Sequence, residues 1–80
     1  MSTLELDRLI DQLIPQVLAD RDLGNGRTFT KLHLYRLWAL GCLQVGECFD
    51  EELLADRVAA RLPASVSLDL GMLKERSLAS

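Results

Sequence analysis

The chain has 80 residues, enough for one domain and for a core that is marginal by itself. Hydrophobic residues make up 49% and aromatics only 5%, so the core has to be aliphatic, and an extensive sheet is not expected. The net charge of -3 argues against general nucleic-acid binding, which rests on neutralising phosphates with Lys and Arg.

The first predicted element runs from about Leu4 to Ala19. Ser2 or Thr3 can cap it, and Glu5 and Asp7 suit the positive end of its dipole. Leu6, Ile10, Leu13 and Val17 recur at helical steps, with Leu9 and Ile14 widening that face. Pro15 lies inside this stretch. It implies either a kink that curves the helix around its core or a stop near Ile14 followed by a short second helix.

Asp20 to Phe29 reads as a connection, with a turn at Gly24-Asn25-Gly26. Asp20-Arg21-Asp22 has the outline of a calcium loop but fails as one. Counted from Asp20, the twelfth position, which needs an acid, is Lys31.

The second helix is expected over Lys31 to about Val45, capped by Thr30 or Thr28 and stopped at Gly46. It is the most informative stretch, because it is apolar nearly all round. His33, Arg36 and Gln44 form its one polar stripe, and Leu37 and Leu40 interrupt that stripe. Leu34, Trp38 and Cys42 fill the opposite side. A helix of this kind has to be covered on most of its surface, and so short a chain has little with which to cover it. A partner surface is implied, and a two-fold pairing about this helix would cover Leu37 and Leu40 while Arg36 and Gln44 stay at the rim. The rival is a C-terminal arm folded back over the same leucines.

The third helix starts at the N-cap Asp50, with Glu51 and Glu52 in its first turn and Phe49 and Leu54 at the positions of a hydrophobic staple. Leu54, Val58 and Leu62, with Leu53 beside them, form its expected buried face, and Pro63 ends it. Beyond, Val66, Leu68 and Leu70 alternate with polar residues as in a strand, whereas residues 71–78 read as a short helix. The expected fold is all-α: a compact bundle of three main helices plus a short C-terminal helix or arm. Residues 1–63 make the helical core, and residues 64–80 make an arm packed on that core or on a partner.

Residues that could carry chemistry are few. His33 is the one histidine. No acid lies near it at helical spacing, and it reads as a neutral, partly exposed helix residue. Cys42 and Cys48 match neither zinc-ligand spacing nor a Cys-X-X-Cys motif, and both read as structural. Glu51 and Glu52 diverge by about 100° on a helix and do not converge on one atom. The expectation is therefore no catalytic, metal or cofactor site. Two cysteines, no N-terminal signal segment and no long apolar run point to a cytoplasmic protein with reduced thiols and no membrane segment.

The function expected is non-enzymatic protein–protein association, by an adaptor, inhibitor or regulatory subunit that pairs with itself or with another protein. The residues expected at the interface are Arg36, Leu37, Leu40, Gln44, Leu68, Leu70, Met72 and Leu73. The alternative is a helix-turn-helix DNA-binding regulator. In that reading helix 3 would be the recognition helix, yet it would present Glu51, Glu52 and Asp56 to phosphates with only Arg57 and Arg61 in compensation. Arg27, Lys31, His33 and Arg36 form a small basic patch at most.

Overall fold

A computed structural model describes residues 2–70 of the chain. Helix α1 spans Thr3–Ala19, and Ser2 caps it by accepting the Glu5 N–H at 3.2 Å. Pro15 lies on an exposed side and does not end the helix, so the alternative of a stop near Ile14 is set aside. A single 3-10 turn, Arg21–Leu23, follows. The chain then bends through Gly24, Asn25 and Gly26, where the Asn25 side chain accepts the Arg27 N–H at 2.9 Å. Gly26 has φ 77 and lies so close to α1 that a Cβ there would sit 2.9 Å from the Leu18 carbonyl oxygen.

Two further helices follow, α2 over Lys31–Val45 and α3 over Glu51–Arg61. Before α2 comes strand β1, Thr28–Thr30, and after α3 comes strand β2, Ser67–Asp69. The strands pair in parallel, with Thr28 opposite Ser67, Phe29 opposite Leu68 and Thr30 opposite Asp69. The all-α expectation, a compact bundle, is corrected by this pairing: the chain is mostly helical but carries a two-stranded parallel sheet.

The physical reason lies in what each strand lacks alone. Extended backbone has to pair its N–H and C=O groups. The period-two tail at 66–70 finds its complement in Thr28–Thr30, at the end of the expected connection and the cap of α2. The pairing is parallel because α2 and α3 intervene and carry the chain across and back. Phe29 is fully buried, while Val66 and Leu68 are half-buried against the core and Leu70 is buried in it. Up to Leu70, then, the tail packs on the same core as the helices. The short helix expected over residues 71–78 lies outside the described residues.

Leu6, Leu9, Ile10, Leu13, Ile14 and Val17 of α1 meet Leu34 and Leu37 of α2 and Leu54, Ala55 and Val58 of α3 in one cluster. Leu53, expected beside the buried face of α3, is 48% exposed, and Ala55 takes the inner position. At the crossing of α1 and α2, Gly41 leaves no room for a side chain. A Cβ there would stand 2.9 Å from the Phe49 ring and 3.3 Å from Leu9 Cδ2. Arg57 of α3 reaches back to Asp7 of α1 with two hydrogen bonds, at 2.8 and 2.6 Å, and Arg61 pairs with Asp11 in the same way one turn on.

Two measurements check this account. Gly26→Ala should lower stability more than Gly46→Ala, as read by urea midpoints. Both glycines have φ 77, but only Gly26 also has a backbone oxygen in the way. The left-handed conformation alone costs about 1–2 kcal/mol for a residue with a Cβ. Asp50 Oδ1 accepts the Glu52 N–H at 3.0 Å as the N-cap of α3. Asp50→Ala should therefore cost about 1 kcal/mol in the same assay.

Candidate functional site: the outer face of α2

Helix α2 begins where β1 ends, and the junction is held by a capping box with an unusual third member. The backbone N–H and the hydroxyl of Thr30 each lie 2.9 Å from Nδ1 of His33. The N–H can only donate, so Nδ1 is the acceptor and the ring proton sits on Nε2. Imidazole thus does what Glu or Gln does at this position of an ordinary capping box. The ring is fully buried rather than partly exposed, stacks at 5.4 Å from Phe29 and is covered by the loop at Gly24. Its Nε2 is buried with no hydrogen-bond partner among the described residues. The sequence signal was present as Thr30-x-x-His33, a capping-box spacing with histidine in place of Glu or Gln.

With His33 turned inward, the rest of α2 is rotated relative to the expectation. Leu37 is fully buried and Leu40 is half-buried against the core, so the two leucines expected beneath a symmetry mate or the arm pack on the helices of their own chain. Gln44 donates to Gln12 of α1 at 3.5 Å. Leu68 is half-buried and Leu70 buried, while Met72 and Leu73 lie outside the described residues. Of the described residues expected to meet a partner, Arg36 lies on the open face and Gln44 is exposed beside α1.

That open face is the site the sequence reading missed. Leu32 is 60% exposed, Tyr35 41% and Leu43 82%. With exposed Ala39 they recur at three-, four- and seven-residue steps, which places them on one stripe of the helix. The stripe lies opposite the buried side made by Leu34, Leu37 and Gly41. Wheel geometry finds it once Leu37 and Gly41, rather than Trp38 and Cys42, are set beside Leu34 as the inward positions. Lys31 Nζ lies 5.9 Å from the centre of the Tyr35 ring, a cation over an aromatic face, and Arg36 is exposed beside it. Helix α2 itself contains no Asp or Glu.

Other parts of the surface carry less. A shallow cleft of about 130 Å³ lies between the starts of α1 and α3, lined by Ser2, Thr3, Leu6, Glu47, Phe49, Asp50 and Leu53. Typical small-molecule sites start near 300 Å³. No three His, Cys, Asp or Glu side chains gather as a metal cluster among the described residues, and no helix there is long and apolar enough to cross a membrane. Comparison with protein-family models, with curated proteins and with solved structures finds no match to this chain.

The ion pairs favour the charged form of their acids and the cap favours neutral imidazole, and both lose stability as the pH falls. The hydrogen bonds from Arg57 and Arg61 hold the Asp7 and Asp11 carboxyls below the usual carboxylate range. Their contribution to stability is present above the unfolded value of 3.8 and is lost as the pH falls through their lower folded values. His33 titrates in a separate window. Burial pushes it below the ordinary imidazole value of 6.5, against the pull of the Asp20 carboxylate. Below that value the unfolded chain takes up a proton that the folded chain does not, so stability falls as pH drops. Urea midpoints should therefore decline between neutrality and mild acid. In His33→Gln, which keeps an acceptor for the Thr30 N–H but does not titrate, the decline should flatten. An equal slope in both proteins would assign the acid sensitivity elsewhere.

Proposed function

We propose that this protein is a small non-enzymatic module for protein–protein association, an adaptor, inhibitor or regulatory subunit that works through the outer face of α2. The observation that carries the reading is the stripe Leu32, Tyr35, Ala39 and Leu43. These apolar side chains face away from the core on a helix whose opposite side is already buried. Each large side chain left in water forgoes about 1.5–3 kcal/mol of burial. Leu32 and Leu43 sit near the two ends of the stripe, with the small Ala39 between them. An antiparallel two-fold pairing would set Leu32 of one copy against Leu43 of the other and let the helices approach closely. We take this homodimer as the first form of association to test, in a cytoplasmic setting.

The rival is a helix-turn-helix regulator reading DNA with α3. Arg57 and Arg61, the two cations that such a helix would offer to phosphates, are engaged with Asp7 and Asp11. The start of the helix carries Asp50, Glu51 and Glu52. These features favour the protein-binding reading.

Sedimentation of the wild type at micromolar concentration should show a dimer, and Leu43→Glu should return it to a folded monomer, because Leu43 is 82% exposed and its replacement leaves the core untouched. A wild type that is monomeric would rule out self-association and leave a different protein as partner. A dimer that survives both Leu43→Glu and Leu32→Glu would move the interface off α2. Salt-sensitive retention on a DNA column would revive the rival.

A further inference from the structure

The two ends of α2 carry opposite charge. Residues 27–36, which lead into the helix and make its first turns, hold Arg27, Lys31 and Arg36 and no acid. Residues 47–52, which follow its last turn, hold Glu47, Asp50, Glu51 and Glu52 and no base. The helix has no acid in its first turn and no base in its last. Its side chains therefore add to its dipole instead of offsetting it. An antiparallel mate supplies what each end lacks.

The charges also share a side. At about 100° per residue, Lys31 lies on the flank of the exposed stripe that carries Tyr35, Trp38 and Cys42, and Arg36 lies on the other flank. Lys31 Nζ stands 5.9 Å from the centre of the Tyr35 ring, beside the stripe. The chain beyond the helix returns along that same flank. Gly46, in the left-handed conformation, donates its N–H to the Cys42 carbonyl at 2.8 Å. The Phe49 carbonyl then accepts the indole N–H of Trp38 at 2.9 Å. Glu47 is exposed between these two anchors.

We propose that the partner seated on α2 is a second copy of this chain held antiparallel by two ion pairs, Lys31 of each copy with Glu47 of the other. The inference rests on the reading of the α2 stripe given above. With Leu32 against Leu43 of the mate, Lys31 comes level with Gln44 of the mate, in the last turn before its acidic end. The two-fold axis of an antiparallel pair sets each flank beside the same flank of the mate. Lys31 thus approaches the segment 46–49 and the last carbonyls of the opposite helix. A parallel pairing would set Lys31 against Lys31 and Glu47 against Glu47. The charges therefore choose the direction of the pairing and favour a second copy over a partner without the same ends.

The test uses the full chain as wild type, Lys31→Glu and Glu47→Lys, with the fold of each checked by circular dichroism. In sedimentation, each single variant should dissociate at about tenfold higher concentration than the wild type, because two attractions become two repulsions. Mixed one to one, the two variants should form a heterodimer as tight as the wild-type dimer, since both pairs return with their signs exchanged. Isotope labelling of one variant lets native mass spectrometry distinguish that heterodimer from either homodimer. Added salt should loosen the wild-type dimer. Single variants that dimerise as tightly as the wild type, in a dimer that Leu43→Glu still breaks, would overturn the ion pairs and leave the stripe as the interface. Weakened variants that fail to recover on mixing would do the same. A monomeric wild type, or a dimer indifferent to Leu43→Glu and Leu32→Glu, would instead remove the α2 homodimer and the ion pairs with it.

Discussion

The apolar face of α1, from Leu6 to Val17, is the surface on which α2 and α3 are laid, and its width sets what the rest of the chain can bury. Six residues of that face are buried, and both other helices spend their inner sides on it. Because α2 meets α1 along Leu34, Leu37 and Gly41, its other side is left open among the described residues. A chain of 80 residues has one strong packing surface, and a helix that is apolar all round can use it only once.

Charge reinforces the same arrangement. The cations of α3 turn toward the acids of α1, Arg57 to Asp7 and Arg61 to Asp11, in two-pronged contacts that fix the rotation of one helix against the other. Helix α2 contains no acid, so its cations find no such partner within it. Acidic and basic residues are therefore sorted by face. The α1–α3 side is internally paired, and the α2 side presents Lys31 and Arg36 next to apolar groups.

The helices were legible because their signals are redundant. Ser2 and Asp50 cap as expected, and the periodicity of Leu6, Ile10, Leu13 and Val17 survives the proline between them. The strand at Ser67–Asp69 was visible as alternation, yet its partner was not, since three residues between a glycine turn and a helix cap carry too little pattern to be seen. The orientation of α2 was misjudged for a related reason. By residue type His33 belongs to the polar stripe, but the Thr30 N–H and hydroxyl both meet its Nδ1 and make it an inward capping group. Turning that one residue inward moves Leu37 into the core and brings Leu43 out.

The parallel pairing of β1 and β2 has a consequence for how the chain assembles. Thr28–Thr30 and Ser67–Asp69 come together only after α2 and α3 have carried the chain out and back. Contacts within helices form early because they close short loops, whereas a strand pair of this sequence separation has to wait until the intervening elements are docked. The sheet therefore carries the cost of closing a loop through both helices before it gains its hydrogen bonds. Nascent chains that have not yet emerged past Leu70 lack half of it, leaving Phe29 without the residue that faces it across the sheet.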